Sequence, residues 1–168
     1  MVKPLVSIAR LAGHAPTALA VAALFAMMVM TFTDVVMRSV LNTPIEAATE
    51  LTRILMATLV FSALPVVSAR GEHIAVDLMD PLFGKTAARW RDAVIALCCG
   101  AMLWWPAGRV VILAERARSY GDVTEYLGIP QFYIAWFIAI LTYVTALVLI
   151  LRGTALILAP SLVDAGDD

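Results

Sequence analysis

The sequence predicts an all-α membrane protein: four transmembrane helices, both termini on the cytoplasmic side, and a short interfacial helix between the second and third spans. Three observations predict it. Of 168 residues, 62% are apolar and 15% charged, with a mean hydropathy of +0.90. Soluble domains are roughly half apolar and about a quarter charged, and a soluble fold this small has too much surface to hide the excess. Next, the few charges fall between four apolar stretches, each about the length of a bilayer-crossing helix. Finally, the cations divide unequally between the two sets of loops, which orients the chain.

The first stretch, residues 11–33, carries no Asp, Glu, Lys or Arg. Lys3 and Arg10 precede it as they would precede a secretory signal. The run is longer than a signal core and no small-x-small cleavage site follows, so the segment reads as a retained signal anchor. The second stretch is residues 54–69, with its helix starting earlier, near Ile45. The third is residues 93–108, and the fourth runs from Tyr126 to Leu151, with Pro130 suited to a first helical turn. The spans are therefore placed at about 13–38, 46–70, 89–114 and 129–152, in one domain covering about 1–160, before an acidic, disordered tail at 161–168. Helices are required because lipid offers backbone N–H and C=O groups no partner, and the alternating ten-residue strands of a barrel are absent. Pro65 and Pro106 fall inside the second and third helices and should kink them.

With four spans, the termini and the central loop share one side. That side holds Lys3, Arg10, Arg70, Lys85, Arg89, Arg91 and Arg152; the other holds Arg38, Arg116 and Arg118. Positive residues favour the cytoplasm, so both ends are expected there, with Trp90 and the Trp104–Trp105 pair flanking the third span. In the central loop, Ile74, Leu78 and Leu82 recur at helical spacing, and Asp80-Pro81 is a good helix start. The stretch Pro81–Trp90 then reads either as a short interfacial helix or as the cytoplasmic start of the third helix.

Ionisable groups near lipid carry a free-energy cost and usually face protein or water. Glu46, Glu50 and Arg53 are spaced i, i+4, i+7 and share one helix face. That face either meets a partner subunit or lines a polar path, or it is a solvated helix end. Asp34 and Arg38 form an i, i+4 pair, and with Glu46 and Glu50 they suggest a polar cluster tying the first two helices together. Arg109, about one turn inside the outer end of the third helix, either snorkels outward or makes a functional pairing, the former being the more expected. Arg70-Gly71-Glu72-His73 reads as a helix stop.

No catalytic or cofactor chemistry emerges. There is no nucleophile-and-base arrangement, phosphate loop or metal spacing, and the net charge of −1 gives no sign of nucleic-acid binding. His14 and His73 are the only histidines, and His73 falls in a loop, which is unsuited to a transmembrane haem. Cys98 and Cys99 are adjacent, so they read as small packing residues and not as a disulfide.

Three stretches carry a resemblance: Asp34-Val35-Val36-Met37-Arg38-Ser39-Val40-Leu41-Asn42; Pro44 with Glu46 and Glu50; and Arg70-Gly71-Glu72-His73-Ile74-Ala75-Val76-Asp77-Leu78. In order and spacing they resemble the DctQ-type small membrane subunit of tripartite ATP-independent periplasmic (TRAP) transporters. Ala47 and Ala48 depart from the family, which has an aromatic shortly before the glutamate at this point, as does Ser62-Ala63-Leu64-Pro65, where a glycine is common. The resemblance implies a non-enzymatic scaffold in the bacterial inner membrane, without cofactor. Its implied partners are a large membrane subunit, which carries out Na⁺-coupled uptake of an organic anion such as a carboxylate, and a periplasmic binding protein that docks. Asp34, Arg38, Glu46, Glu50, Arg53, Gly71, Glu72, His73 and Asp77 are the positions expected at subunit interfaces or in structural roles. Two other classes remain open: a small homodimeric exporter, which would need an ionisable group near mid-membrane, and a haem- or quinone-anchoring subunit.

Overall fold

In a computed structural model, residues 3–70 and 85–158 are described, and they form four long helices. These are α1 (Lys3–Val36), α2 (Ala48–Arg70), α3 (Lys85–Tyr120) and α4 (Gln131–Leu158). A π-helical turn, Met37–Leu41, prolongs α1. All four are long and apolar enough to cross a membrane, over Ala15–Leu41, Ala48–Ala69, Trp90–Tyr120 and Gln131–Leu158.

The distribution of side chains points to lipid as the solvent. Among the described residues the largest fully buried side chains are Thr145, Ser62 and Ser68, whereas Phe32, Met102, Trp105 and Leu158 are each at least 70% exposed. In water this pattern would be inverted. In a bilayer, helices gain nothing by hiding leucine from lipid, so small residues go to the contacts and large apolar ones face outward.

Two compact units divide the chain, Met1–Ala63 with Val110–Ala139 and Leu64–Arg109 with Ile140–Asp168. In the second unit α3 and α4 run antiparallel through a seam of small residues. Ala93, Ala96 and Gly100 of α3 are buried, as are Thr142, Ala146, Leu149 and Gly153 of α4, both sets at three- and four-residue spacing. The approach is close enough to exclude a methyl group. A Cβ on Gly100 would lie 2.8 Å from Ile150 Cγ1 and 3.0 Å from the Ala146 carbonyl oxygen, and one on Gly153 would lie 3.1 Å from that of Ala93. One turn further along α3, the Trp104 and Tyr143 rings meet edge to face, 5.1 Å between centroids.

In the first unit the connections are ordered by backbone hydrogen bonds. The π turn closes at Asn42, which takes the left-handed conformation at φ 55° and donates its N–H to the Met37 carbonyl. Helix α3 ends in a Schellman motif. Gly121, at φ 70°, donates to Arg118 O while Asp122 donates to Ala117 O. Residues 122–131 then fold back on themselves: Thr124 N–H reaches Ile129 O at 2.9 Å and Gln131 N–H reaches Asp122 O at 3.0 Å.

Two sequence expectations change here. The apolar, charge-free run from Tyr126 reads as helix, but Tyr126 and Leu127 belong to the connection, and α4 starts at Gln131, just after Pro130. Thr124 O accepts the Gly128 N–H instead, and Gly128, at φ 63°, ends that turn. Helix α3 also runs on to Tyr120 through Glu115, Arg116 and Arg118, because charges end an apolar span without ending a helix. Lys85–Trp90 forms the first turns of α3; the rest of the expected interfacial helix, and the acidic tail, lie outside the described residues.

Candidate functional site

The polar groups of the first unit gather around two carboxylates, Asp34 near the end of α1 and Glu50 in the first turn of α2. Asp34 is 9% exposed. Its Oδ2 accepts from Arg38 Nη2 at 2.9 Å, the i, i+4 pair that the sequence spacing suggests. Its Oδ1 accepts the backbone N–H of Ile45 at 2.9 Å, eleven residues on. One side chain therefore ties the last turn of α1 to the chain entering α2. Ile45 itself accepts the N–H of Ala48 at 3.0 Å, so Asp34 also fixes the turn from which α2 grows. Arg38 keeps two-thirds of its side chain exposed, and its planar fork retains donors beyond the one Asp34 uses.

Glu50 turns elsewhere. Oε1 accepts the N–H of Tyr126 at 2.9 Å and Oε2 that of Leu127 at 3.1 Å, across 76 and 77 residues of sequence. The helical turn closed by Thr124 O and Gly128 N–H leaves its early N–H groups without an internal acceptor, as any helix start does. A carboxylate meets two of them at once through charge-assisted bonds. Thr124 Oγ1 accepts the Ile129 N–H at 3.0 Å and holds the other side of the turn.

The expected four-residue cluster is thus only partly assembled. Asp34 and Arg38 bond to each other, but Glu50 bonds to the α3–α4 connection and to neither Arg38 nor Arg53. Among the described residues, the side chains of Glu46 and Arg53 make no hydrogen bond or ion pair, and both residues are exposed. Gly71, Glu72, His73 and Asp77 lie outside the described residues. Among those described, no group of three or more His, Cys, Asp or Glu is arranged to hold a metal ion.

Sequence reasoning missed one tie in the second unit. Arg152 Nη1 donates to the Ser68 carbonyl at 3.2 Å and the Ala69 carbonyl at 3.0 Å, at the C-terminal end of α2. Those last carbonyls lack helical donors, and a cation there also suits the helix dipole. The sequence counts Arg152 only as an orienting charge; the signal that could have found it is a cation on one helix opposite the carbonyl end of another.

Comparison with known proteins adds one finding. The family model for tripartite ATP-independent periplasmic transporters, DctQ component, matches residues 27–157. That interval contains both carboxylate ties, Arg152, the last turns of α1, all of α2 and α3, and α4 but for its final residue. No curated protein and no solved structure matches the chain.

Proposed function

The chain belongs to the DctQ family and is the small membrane component of a TRAP transporter, and we propose that its task there is to brace the large membrane component in the bilayer. In this reading it sits in the bacterial inner membrane with both ends in the cytoplasm. It serves Na⁺-coupled uptake of an organic anion, such as a carboxylate, that a periplasmic binding protein delivers.

One observation carries the reading. The carboxylates of Asp34 and Glu50 each have both oxygens bonded to the chain's own backbone or to Arg38, which ties them into this chain's connections as struts. Substrate sites at mid-membrane are typically built where helices break and polar groups converge. Helices α2, α3 and α4 run unbroken across their apolar spans; the buried Thr145 hydroxyl donates to the Leu141 carbonyl of its own helix, and Ser62 Oγ is the one buried side-chain oxygen among the described residues without a partner. This is the composition of a wall.

The test is reconstitution of the large component and binding protein with and without this chain, under a Na⁺ gradient. Uptake of labelled carboxylate should require the large component, and the chain alone should give none; accumulation by the chain alone would end the scaffold reading. Glu50→Ala should lower recovery of the complex several-fold while Glu50→Gln, which keeps one carbonyl acceptor, should lower it less. Wild-type recovery with Glu50→Ala would show that the anchored connection plays no part in assembly.

A further inference from the structure

Helix α3 carries two stripes at alternating three- and four-residue spacing, and only one is used. The small stripe, Ala93, Ala96 and Gly100, is buried in the seam with α4. The other comprises Ile95, Cys98, Met102, Trp105 and Arg109, and every member is exposed: Ile95 by 52%, Met102 by 76% and Trp105 by 79%. A 3-4 repeat of this kind is the pattern by which one helix lies along another at a shallow left-handed angle.

Lipid would cover the four upper members of that stripe equally well. Arg109 separates the two occupants. It is the only Asp, Glu, Lys or Arg between Asp92 and Glu115. Among the described residues no side chain pairs with it. Seventeen residues past Asp92 and eleven before Tyr120, it lies about 26 Å and about 17 Å from those positions along the helix axis, within the Trp90–Tyr120 stretch that is long and apolar enough to cross a membrane. Side chains lean toward the N-terminus of their helix. For Arg109 that direction is back toward the middle of the bilayer, away from the nearer rim, so reaching a lipid phosphate there means extending against the lean. An uncompensated guanidinium in this position carries a free-energy cost that a carboxylate at the same depth would remove.

We infer that the Ile95–Arg109 stripe of α3 is the seat of a transmembrane helix of the large TRAP component, one that presents an Asp or Glu to Arg109. This rests on the scaffold reading above and specifies its contact face. The apolar members provide shape along the seam. Arg109 fixes register and partner, because a helix without an acidic side chain at that level leaves the charge uncompensated.

The experiment uses the full chain co-expressed with the large component in membranes. A photocrosslinking p-benzoylphenylalanine placed at Trp105 should yield an adduct with the large component. Arg109→Glu should cut recovery of the large component at least about tenfold, while Arg109→Lys, which keeps the charge, should stay within about twofold. Membrane yield and helical content of the Arg109→Glu chain should match wild type, which separates loss of the partner from loss of the fold. Lipid adducts alone at Trp105, or wild-type recovery with Arg109→Glu, in a preparation where the unmodified complex is intact, would overturn the assignment and leave the scaffold reading standing. Failure of the unmodified chain to retain the large component would instead sink the scaffold reading, and this one with it.

Discussion

The two units of the chain hold their helices together by different means. In Leu64–Arg109 with Ile140–Asp168, the tie is absence of bulk: Gly100 and Gly153 let the backbones of α3 and α4 approach until no methyl group fits between them. In Met1–Ala63 with Val110–Ala139, the tie is charge: Asp34 and Glu50 reach backbone N–H groups in the connections. The difference follows from the surroundings. Inside hydrocarbon, large apolar side chains gain as much from lipid as from one another, so contact area must come from close approach. Where the chain leaves a helix, backbone groups lose their internal partners, and a fixed carboxylate can meet two at once.

The close-packed unit should be the more easily broken. Gly100→Val places branched carbon against the Ala146 carbonyl, which cannot move without its helix, so the loss should be about 3 kcal/mol. Denaturant titration in detergent micelles would measure it. Gly108 offers the matched control. A Cβ there meets only the Tyr143 hydroxyl, at 3.4 Å, and Gly108→Ala should be neutral or slightly stabilising through helix propensity. Equal losses at Gly100 and Gly108 would mean that close approach is not what binds α3 to α4.

In the charge-tied unit, Asp34→Ala leaves the Ile45 N–H without its acceptor and Arg38 without its counter-charge. Bonds to charged groups contribute about 1.5–3 kcal/mol, and with Arg38 largely exposed the loss should be about 2 kcal/mol. Asp34→Asn retains an acceptor oxygen and should recover most of it. Hydrogen exchange at the Ile45 amide would report directly: faster exchange in Asp34→Ala and near-wild-type exchange in Asp34→Asn are expected, and unchanged exchange in both would show that the bond contributes nothing.

How much of this was legible in the sequence depended on distance along the chain. The four helices were readable because charge-free runs of bilayer length have few other uses. The Asp34–Arg38 pair was readable because i, i+4 spacing fixes proximity on any helix. The partners of Glu50 were not, since they are backbone N–H groups 76 and 77 residues away, and a backbone group has no side-chain signature. The same gap hid the turn at Thr124–Gly128. Tyr126 and Leu127 look like helix by composition, and only the positive φ of Gly128 and the Thr124 side chain reveal the reversal. The α3–α4 seam was half visible: alanines and glycines stood at 3-4 spacing, but spacing alone does not say which stripe faces protein and which faces lipid.

Arg152 is a case between the two units' strategies, a charge used within the close-packed unit, and it gives the smallest resolvable effect. Its guanidinium meets carbonyls of Ser68 and Ala69 that α2 leaves open at its end. A cation at a helix C-terminus contributes about 0.3–1 kcal/mol when exposed and up to about 2 when partly buried. Arg152 is half-buried, so Arg152→Ala should cost about 1 kcal/mol and Arg152→Lys less. By contrast, Arg118→Ala removes a 3.7 Å pair with Glu115 in which both side chains are at least 60% exposed, and its effect should stay within about 0.5 kcal/mol. Measured side by side in the same detergent, a loss at Arg152 no larger than that at Arg118 would mean that capping α2 adds nothing to the stability of this unit. Small-residue packing alone would then account for how this unit holds.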